Sequence, residues 1–359
     1  MVSWPNSQLD ATVNVGRLIP QDDSPLMHHP LYRTVSAIVM AGTALLGPTG
    51  QVTAQAPVSR APVSAMVSPV FPSWFSADTT RSNRAESQPS SVALPRLNWW
   101  SDGLLSAAGL AGNAIALTMS PDKQSVPPEG LDPSGINWGI DRDVIGNPSS
   151  SAETASDVAV AIVVAGPPVL ALLTQPGVHG FGNVIRRPFV LYGESLLLAQ
   201  GITQILKPAF SRPRPYTYLP AAERPGGKAY DVTTDHAFLS MPSGHAAMSF
   251  AAASYAATDN LLSHADAGTG EHVAVAAIGG LMAGFTAHLR IEAEQHFPSD
   301  ALVGGLIGTA SGVTIPLLHS YVFPGGGTAP HPGGHEWLIT AVGYALGAGA
   351  GIGISSLAY

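Results

Sequence analysis

Apolar, almost uncharged runs alternate with polar segments rich in glycine and proline over most of this chain. Their content of alanine, leucine, valine and glycine and their lengths of 13 to 22 residues favour helices over strands. The pattern therefore predicts an all-α protein, a bundle of about six core helices. The six runs cover 104–119, 158–174, 190–206, 246–258, 272–288 and 301–322.

These runs could cross a lipid bilayer or form the core of a soluble bundle. A comfortable crossing needs about 20 apolar residues; the run 301–322 exceeds that length, whereas 246–258 is short and contains serine and threonine. Glu194 interrupts the third run and would have to face the bundle interior in a membrane. We expect the membrane form, and the alternative is a soluble bundle whose helices are apolar because they are buried.

The composition supports a membrane protein as well. Only 11% of the residues are charged, against about 25% in soluble domains, and the mean hydropathy is +0.21. The formal net charge of −8 excludes a chain-wide basic field of the kind that holds nucleic acid. The chain has no cysteine, which excludes disulfides, thiol catalysis and metal sites with cysteine ligands.

The first hundred residues differ from the rest of the chain in composition. Residues 27–56 combine a basic flank, a short apolar core and the sequence Ala54-Gln55-Ala56, which is typical of a secretory signal peptide. The alternative is a buried helix near the amino terminus. We expect an extension at 1–56 that carries this signal, a linker rich in proline and serine at 57–103, a helical domain at 104–322 and a glycine-rich tail at 323–359.

The tail contains a further apolar stretch, 337–359. Gly343, Gly347 and Gly351 recur there every four residues, which would let a helix pack closely on a neighbour. The alternative is a loosely ordered, glycine-rich end of the chain.

If the runs span a membrane, their connections lie alternately on its two sides. The positive-inside rule places Arg186 and Arg187 in the cytoplasm and the acidic segment 120–157 outside. The connections 207–245 and 289–300 then also lie outside, and they contain the residues with the most distinctive chemistry.

The first motif follows the third run and contains Lys207 and Arg214. Pro213 and Pro215 bracket the arginine, which favours extended backbone and positions its guanidinium in advance for an oxyanion. The alternative is a basic helix end that complements the helix dipole, followed by a proline that stops the helix.

The second motif, Pro242-Ser243-Gly244-His245, precedes the fourth run. Serine is a good N-cap, the free N–H groups of a first helical turn bind anions, and glycine lets an anion approach the backbone. His245 would then project near that anion. Alone, this sequence is also typical of an ordinary helix cap.

The third motif joins the fifth and sixth runs and contains Arg290, His296 and Asp300. Pro298 suits the first position of a helix, so we expect His296 just before that helix. Asp300 could accept a hydrogen bond from one ring nitrogen of His296 and leave the other as a nucleophile or base. The alternative for Asp300 is an acidic residue that complements the helix dipole.

In order and spacing, the three motifs resemble those of the type 2 phosphatidic acid phosphatase (PAP2) family, which also includes bacterial non-specific acid phosphatases and the vanadium haloperoxidases. The motifs are Lys-x6-Arg-Pro, Pro-Ser-Gly-His and Arg-x5-His-x3-Asp, and the resemblance covers roughly 104–322. One position differs, because the family usually has serine before the third-motif arginine and this chain has Leu289. A hydroxyl contact is therefore lost there.

The resemblance implies a role for each motif residue. His296 would attack phosphorus and form a phosphohistidine, Asp300 would orient it, and His245 would protonate the leaving oxygen and then activate water. The residues expected to bind the substrate phosphate are Lys207, Arg214, Ser243, Gly244 and Arg290.

The resemblance also implies a metal-independent phosphatase of the acid phosphatase or phosphatidate phosphatase type, without a cofactor and inhibited by vanadate. Its substrate would be a phosphomonoester or a lipid phosphate or pyrophosphate. The alternative is a vanadium-dependent haloperoxidase, since the same oxyanion pocket can hold vanadate. We expect it in the bacterial cell envelope, either in the membrane with an outward-facing site or soluble in the periplasm, and we expect no nucleic-acid partner.

Overall fold

The computed structural model describes residues 97–136, 139–174, 183–264, 267–322 and 332–358. These residues form eight α-helices and no strand, and each of the six apolar runs lies in a helix apart from 117–119 and 322, so the all-α prediction is confirmed. The predicted signal peptide lies outside the described residues. The helices are α1 Trp99–Ala116, α2 Gly139–Arg142, α3 Ser150–Thr174, α4 Asn183–Phe210, α5 Gly244–Ser263, α6 Thr269–Glu292, α7 Pro298–Tyr321 and α8 Gly334–Ala358.

Local sequence explains where several helices begin. The side chain of Asn98 accepts a hydrogen bond from Trp100 N at 3.1 Å and caps α1, which starts five residues before the first apolar run. Ser243 caps α5 as predicted, and Pro298 is the first residue of α7 as predicted. The motif residues are therefore attached to the ends of long helices.

Helix α5 lies at the centre of the bundle and packs against α3, α4, α6 and α7. Half of its 20 residues are alanine or serine. On the facing side of α7, a Cβ added to Gly308 or Gly312 would overlap with the α5 backbone, and one added to Gly304 would overlap with the backbone of the N-cap residue Ser243. Close approach of the two backbones explains why α5 is rich in small residues rather than in leucine.

Helix α1 runs parallel to α4. Gly109 of α1 lies against Leu197 and Gly201 of α4, and Gly112 also lies against Gly201. Asp102, which precedes Gly109 on α1, is near Glu194, which precedes Leu197 on α4. The residue numbers on the two helices thus increase in the same direction. Helix α1 therefore begins towards the end of the bundle at which α4 begins.

Helix α8 packs along α6, which confirms the close-packing interpretation of its glycines. A Cβ added to Gly347 would overlap with the carbonyl oxygen of Ala277, and one added to Gly351 would overlap with that of Leu281. Gly343 lies in the same way against Val273. The four-residue spacing therefore forms a helix–helix contact rather than a loosely ordered end.

Five of the described helical segments are long and apolar enough to cross a membrane, judged by length and composition. Large apolar side chains also cover the outside of the bundle; Leu104 is 71% exposed and Leu346 is 70% exposed. Such a surface fits lipid better than water, and Glu194 faces inward, 1% exposed, as a membrane requires. The five segments are Ser150–Val169, Arg187–Tyr218, Thr269–Glu292, Pro298–Tyr321 and Gly334–Leu357.

Candidate active site

The three motifs meet at one end of the bundle, called here the catalytic end, where α4 and α6 finish and α5 and α7 begin. Hydrogen bonds hold them together: Ser243 N donates to Asp300 O at 3.0 Å, and the side-chain Nζ of Lys207 donates to Leu239 O at 3.0 Å. All eight residues proposed from the sequence lie at this end, namely Lys207, Arg214, Ser243, Gly244, His245, Arg290, His296 and Asp300.

His296 is buried and held by the main chain. Its Nδ1 lies 2.6 Å from the carbonyl oxygen of Ser240, which can only accept a hydrogen bond, so Nδ1 carries the proton. The lone pair is therefore on Nε2. Burial, followed by the charges of Arg214 and Lys207, lowers the pKa of His296 well below its usual range and keeps the ring neutral. A neutral imidazole with a fixed tautomer is suited to nucleophilic attack.

Asp300 does not contact His296 as expected. The prediction of a hydrogen bond between them is wrong, because His296 Nδ1 lies 4.0 Å from Asp300 Oδ2. The carboxylate instead forms an ion pair with Arg212 at 2.5 Å and accepts hydrogen bonds from Ser240 Oγ and Phe297 N. Asp300 thus holds the segment whose carbonyl orients His296, and it also caps α7.

His245 projects from the first turn of α5 and pairs with a residue that the motifs did not indicate. Its Nε2 lies 2.7 Å from Oδ1 of Asp157, on α3. The same carboxylate oxygen is 3.8 Å from Arg290 Nη1. Because an ionised carboxylate only accepts, it fixes a proton on His245 Nε2 and leaves Nδ1 as the nitrogen that can exchange a proton with a substrate.

Arg214 and Arg290 converge on one oxygen. Arg214, 1% exposed, donates from Nη1 to Gln295 Oε1 at 2.6 Å, and Arg290 Nη2 lies 3.4 Å from the same atom. Arg290 Nε is buried and has no hydrogen-bond partner among the described residues. A buried guanidinium with an unused donor is unfavourable, so Arg290, beside Arg214, fits an anion whose oxygen accepts from its Nε.

Lys207 and the start of α5 form the other side of the site. A Cβ added to Gly244 would lie 3.9 Å from Lys207 Cε, so the lysine stem passes directly over the first residue of the helix. The Ser243 side chain accepts from Ala246 N at 3.4 Å. A point charge above a helix amino terminus is a second feature that attracts an oxyanion.

The segment that connects α1 with α3 covers the catalytic end. The buried side chain of Glu294 accepts hydrogen bonds from Gly146 N at 2.7 Å and Asn147 N at 2.8 Å. Buried Asp141 accepts from Ser299 and pairs with Arg212 at 2.8 Å. The acidic segment thus positions the third motif, and its charges are partly neutralised by Arg212.

Leu289 occupies the position at which the motif differs from the family pattern. Its side chain is fully buried against Ala152 and Ala159 of α3 and against Ala293. The leucine therefore fixes α6 on α3, next to Asp157, and contributes an apolar contact where a hydroxyl was expected.

Sequence reasoning missed several residues of this site. Arg212 stands inside the first motif and could have been recognised as a third cation there. Ser240, Gln295 and Asp157 contribute a carbonyl, an amide oxygen and a carboxylate. Asp157 precedes His245 by 88 residues and belongs to no motif, so only the packing of α3 on α5 and α6 reveals it.

A family model described as the PAP2 superfamily matches residues 188–324. The matched segment begins within α4, ends just after α7 and contains all eight predicted residues, so the resemblance inferred from the motifs is confirmed over this range. No curated protein and no solved structure matches the chain.

Proposed function

Since the chain belongs to the PAP2 superfamily through residues 188–324, we propose that it is a membrane phosphatase that hydrolyses a phosphate ester through a phosphohistidine, without a metal ion at the catalytic end. The observation that carries the proposal is the unused buried donor of Arg290 beside Arg214, at the same helix ends as His296. These groups form an oxyanion pocket with a nucleophile next to it.

In the first step, His296 Nε2 attacks phosphorus and the bond between phosphorus and the ester oxygen breaks. The leaving oxygen takes a proton from the imidazolium of His245, and the alcohol departs. Arg214, Arg290 and Lys207 balance the charge on the other phosphoryl oxygens. Phosphoryl transfer depends mainly on positioning and charge neutralisation, and the two arginines, together with Lys207 beside the amino terminus of α5, would provide both.

In the second step, water attacks the phosphohistidine. Neutral His245 accepts a proton from the water, the new bond between oxygen and phosphorus forms, and the bond from phosphorus to His296 Nε2 breaks. Phosphate leaves and both histidines return to their starting protonation states. Asp157 stabilises the imidazolium form of His245 each time that form appears.

The position of the site favours a lipid substrate. Lys207 is in the last turn of α4 and Arg290 in the last turn of α6, and both helices are apolar enough to cross a membrane. The pocket would therefore lie at headgroup depth, where a lipid phosphate can enter while its chains stay in the bilayer. We propose a phosphorylated lipid as substrate and a site that faces out of the cytoplasm.

The test measures phosphate release by one detergent-solubilised preparation from a lipid phosphate in mixed micelles and from a soluble aryl phosphate. We expect a higher kcat/KM for the lipid, and loss of release from both substrates in His296→Ala. His264→Ala, at the exposed end of α5 away from the catalytic end, is the matched control and should retain activity.

Three outcomes would contradict parts of the proposal. Normal phosphate release by His296→Ala would exclude the nucleophile. A preference for the soluble ester, with protein that is extracted without detergent, would exclude the lipid. Oxidation of bromide by peroxide after loading with vanadate, without phosphatase activity, would favour the haloperoxidase alternative.

A further inference from the structure

Three helices bring a second group of ionisable side chains together, far from the catalytic end. Asp102 is in the first turn of α1, Glu194 is in α4, and His319 is in the last turn of α7. One ligand atom from each residue lies within 4.8 Å of the other two. Glu194 stands 13 residues before Lys207 on α4, which corresponds to about 20 Å along the helix.

The contacts within this group are short but incomplete. His319 Nε2 lies 2.9 Å from Glu194 Oε2, and His319 Nδ1 lies 3.6 Å from Asp102 Oδ1. The second carboxylate oxygen of Glu194, Oε1, is buried and has no hydrogen-bond partner among the described residues. Both Glu194 and His319 are only 1% exposed.

Two carboxylates in a bundle interior are unfavourable unless cations neutralise them. One imidazole can supply at most one positive charge. No ion pair joins Asp102 or Glu194 to an arginine or lysine among the described residues, whereas a divalent cation would neutralise both carboxylates and would satisfy Oε1 of Glu194.

We propose that Asp102, Glu194 and His319 form a binding site for one Zn²⁺ ion. One imidazole nitrogen and two carboxylate oxygens are ordinary zinc ligands, and a water molecule would complete four-coordination. Bonds of about 2.0 Å place tetrahedral ligands about 3.3 Å apart, and the imidazole, whose two nitrogens face different carboxylates, would turn so that one nitrogen and both carboxylates meet the ion. Asp102 is 15% exposed at the start of α1 and provides the route of entry.

This ion would fasten α1 and α7 to α4 and would take no part in phosphate chemistry, because the two sites are separated along α4. The inference therefore does not rest on the proposed phosphatase activity. Chelation should lower the thermal stability of the protein while phosphate release at temperatures well below Tm continues.

The test uses the full chain without an affinity tag, purified in detergent, stripped with EDTA and then equilibrated with Zn²⁺ alone. We expect one zinc per chain by atomic spectrometry and a rise in Tm by tryptophan fluorescence. Glu194→Gln should lose both effects. The matched control is His272→Gln, which changes an equally buried histidine that bonds to Asn260 and not to a carboxylate; it should bind zinc as the wild type does.

A second variant keeps the test decisive if Glu194→Gln does not fold. Asp102→Asn removes a ligand at a partly exposed position, and we expect its Kd for zinc to rise by more than about tenfold, the lower end of the effect of losing a supporting residue. Absence of bound zinc in the wild type, zinc that leaves Tm unchanged, or equal zinc affinity in Asp102→Asn and His272→Gln would overturn the proposal and leave only the direct contacts of His319 with the two acidic side chains.

Discussion

At the scale of the residue, burial next to cations sets the protonation of His245 before substrate arrives. Burial, then the charge of Arg290, lowers its pKa to about 4, although the hydrogen bond to Asp157 acts in the opposite direction. The imidazolium that the proposed mechanism uses as a general acid is thus present in the free protein only at acid pH. A phosphate dianion in the pocket would stabilise that imidazolium and raise the pKa.

We therefore expect kcat/KM, which reflects the free enzyme, to fall as the pH rises above about 4, and kcat to fall only at higher pH. Asp157→Asn removes the carboxylate that favours the charged ring, so its kcat/KM should fall at a lower pH than that of the wild type. Asp143→Asn removes the same charge from an exposed position nearby and should leave the profile unchanged. Identical pH profiles for Asp157→Asn and the wild type would exclude this role.

Replacement of Asp300 should reduce kcat less than replacement of the aspartate in a catalytic triad, where the carboxylate contacts the histidine directly. Loss of an orienting carboxylate that contacts its histidine reduces kcat by about 10⁴, but Asp300 acts on His296 only through the Ser240 segment and Arg212. We expect Asp300→Asn to reduce kcat by less than that factor and also to lower Tm, because an ion pair and a helix cap are weakened. A 10⁴-fold loss with unchanged Tm would contradict this arrangement.

The motif residues could be predicted because their spacing is specific, but their contacts could not. The i, i+4 relation between His296 and Asp300 predicts contact only inside a helix, and His296 lies before the first residue of α7. Its ring is therefore turned towards a backbone carbonyl that is 56 residues away in the sequence. No local pattern contains that information.

At the scale of the element, the glycines of α8 allow a matched comparison. A Cβ at Gly347 would overlap with the carbonyl oxygen of Ala277, whereas nothing lies within 4 Å of a Cβ at Gly349. Alanine is favoured over glycine in a helix by about 1 kcal/mol, and overpacking costs about 1–3 kcal/mol. We expect Gly347→Ala to lower Tm and Gly349→Ala to leave it unchanged or raise it; equal Tm values would mean that α8 does not pack on α6 as described.

The helices themselves were predictable from apolar runs, but the docking of α8 was not. A glycine repeat permits close packing only if the second helix can also come close, and here Gly280 and Gly284 of α6 admit the α8 backbone at Tyr344 and Ala348, between the glycines of the repeat. The sequence also did not predict that the acidic segment covers the catalytic end. That contact depends on Glu294, which adopts a positive φ of 50° and accepts a hydrogen bond from Gly146 N.

At the scale of the whole molecule, the orientation of the bundle in the membrane can be measured with single introduced cysteines, because the chain contains no cysteine of its own. Ser120 is exposed after α1 near the catalytic end, and His264 is exposed after α5 at the opposite end. With an outward-facing site, a membrane-impermeant maleimide should label Ser120→Cys in intact cells and His264→Cys only after permeabilisation. The reverse result would place the site in the cytoplasm.

Because α1 and α4 run parallel, the compartment in which Trp99 lies decides which compartment the catalytic end faces. In a bundle that spans the membrane, Trp99 and the catalytic end face opposite compartments. A signal at 27–56 that is cleaved after export would deliver Trp99 to the outer compartment and turn the candidate pocket inward, so the expected signal and the proposed outward-facing site exclude each other. An outward pocket instead requires that Trp99 never leave the cytoplasm, so one amino-terminal sequencing of the mature protein also reports which compartment supplies the phosphate ester.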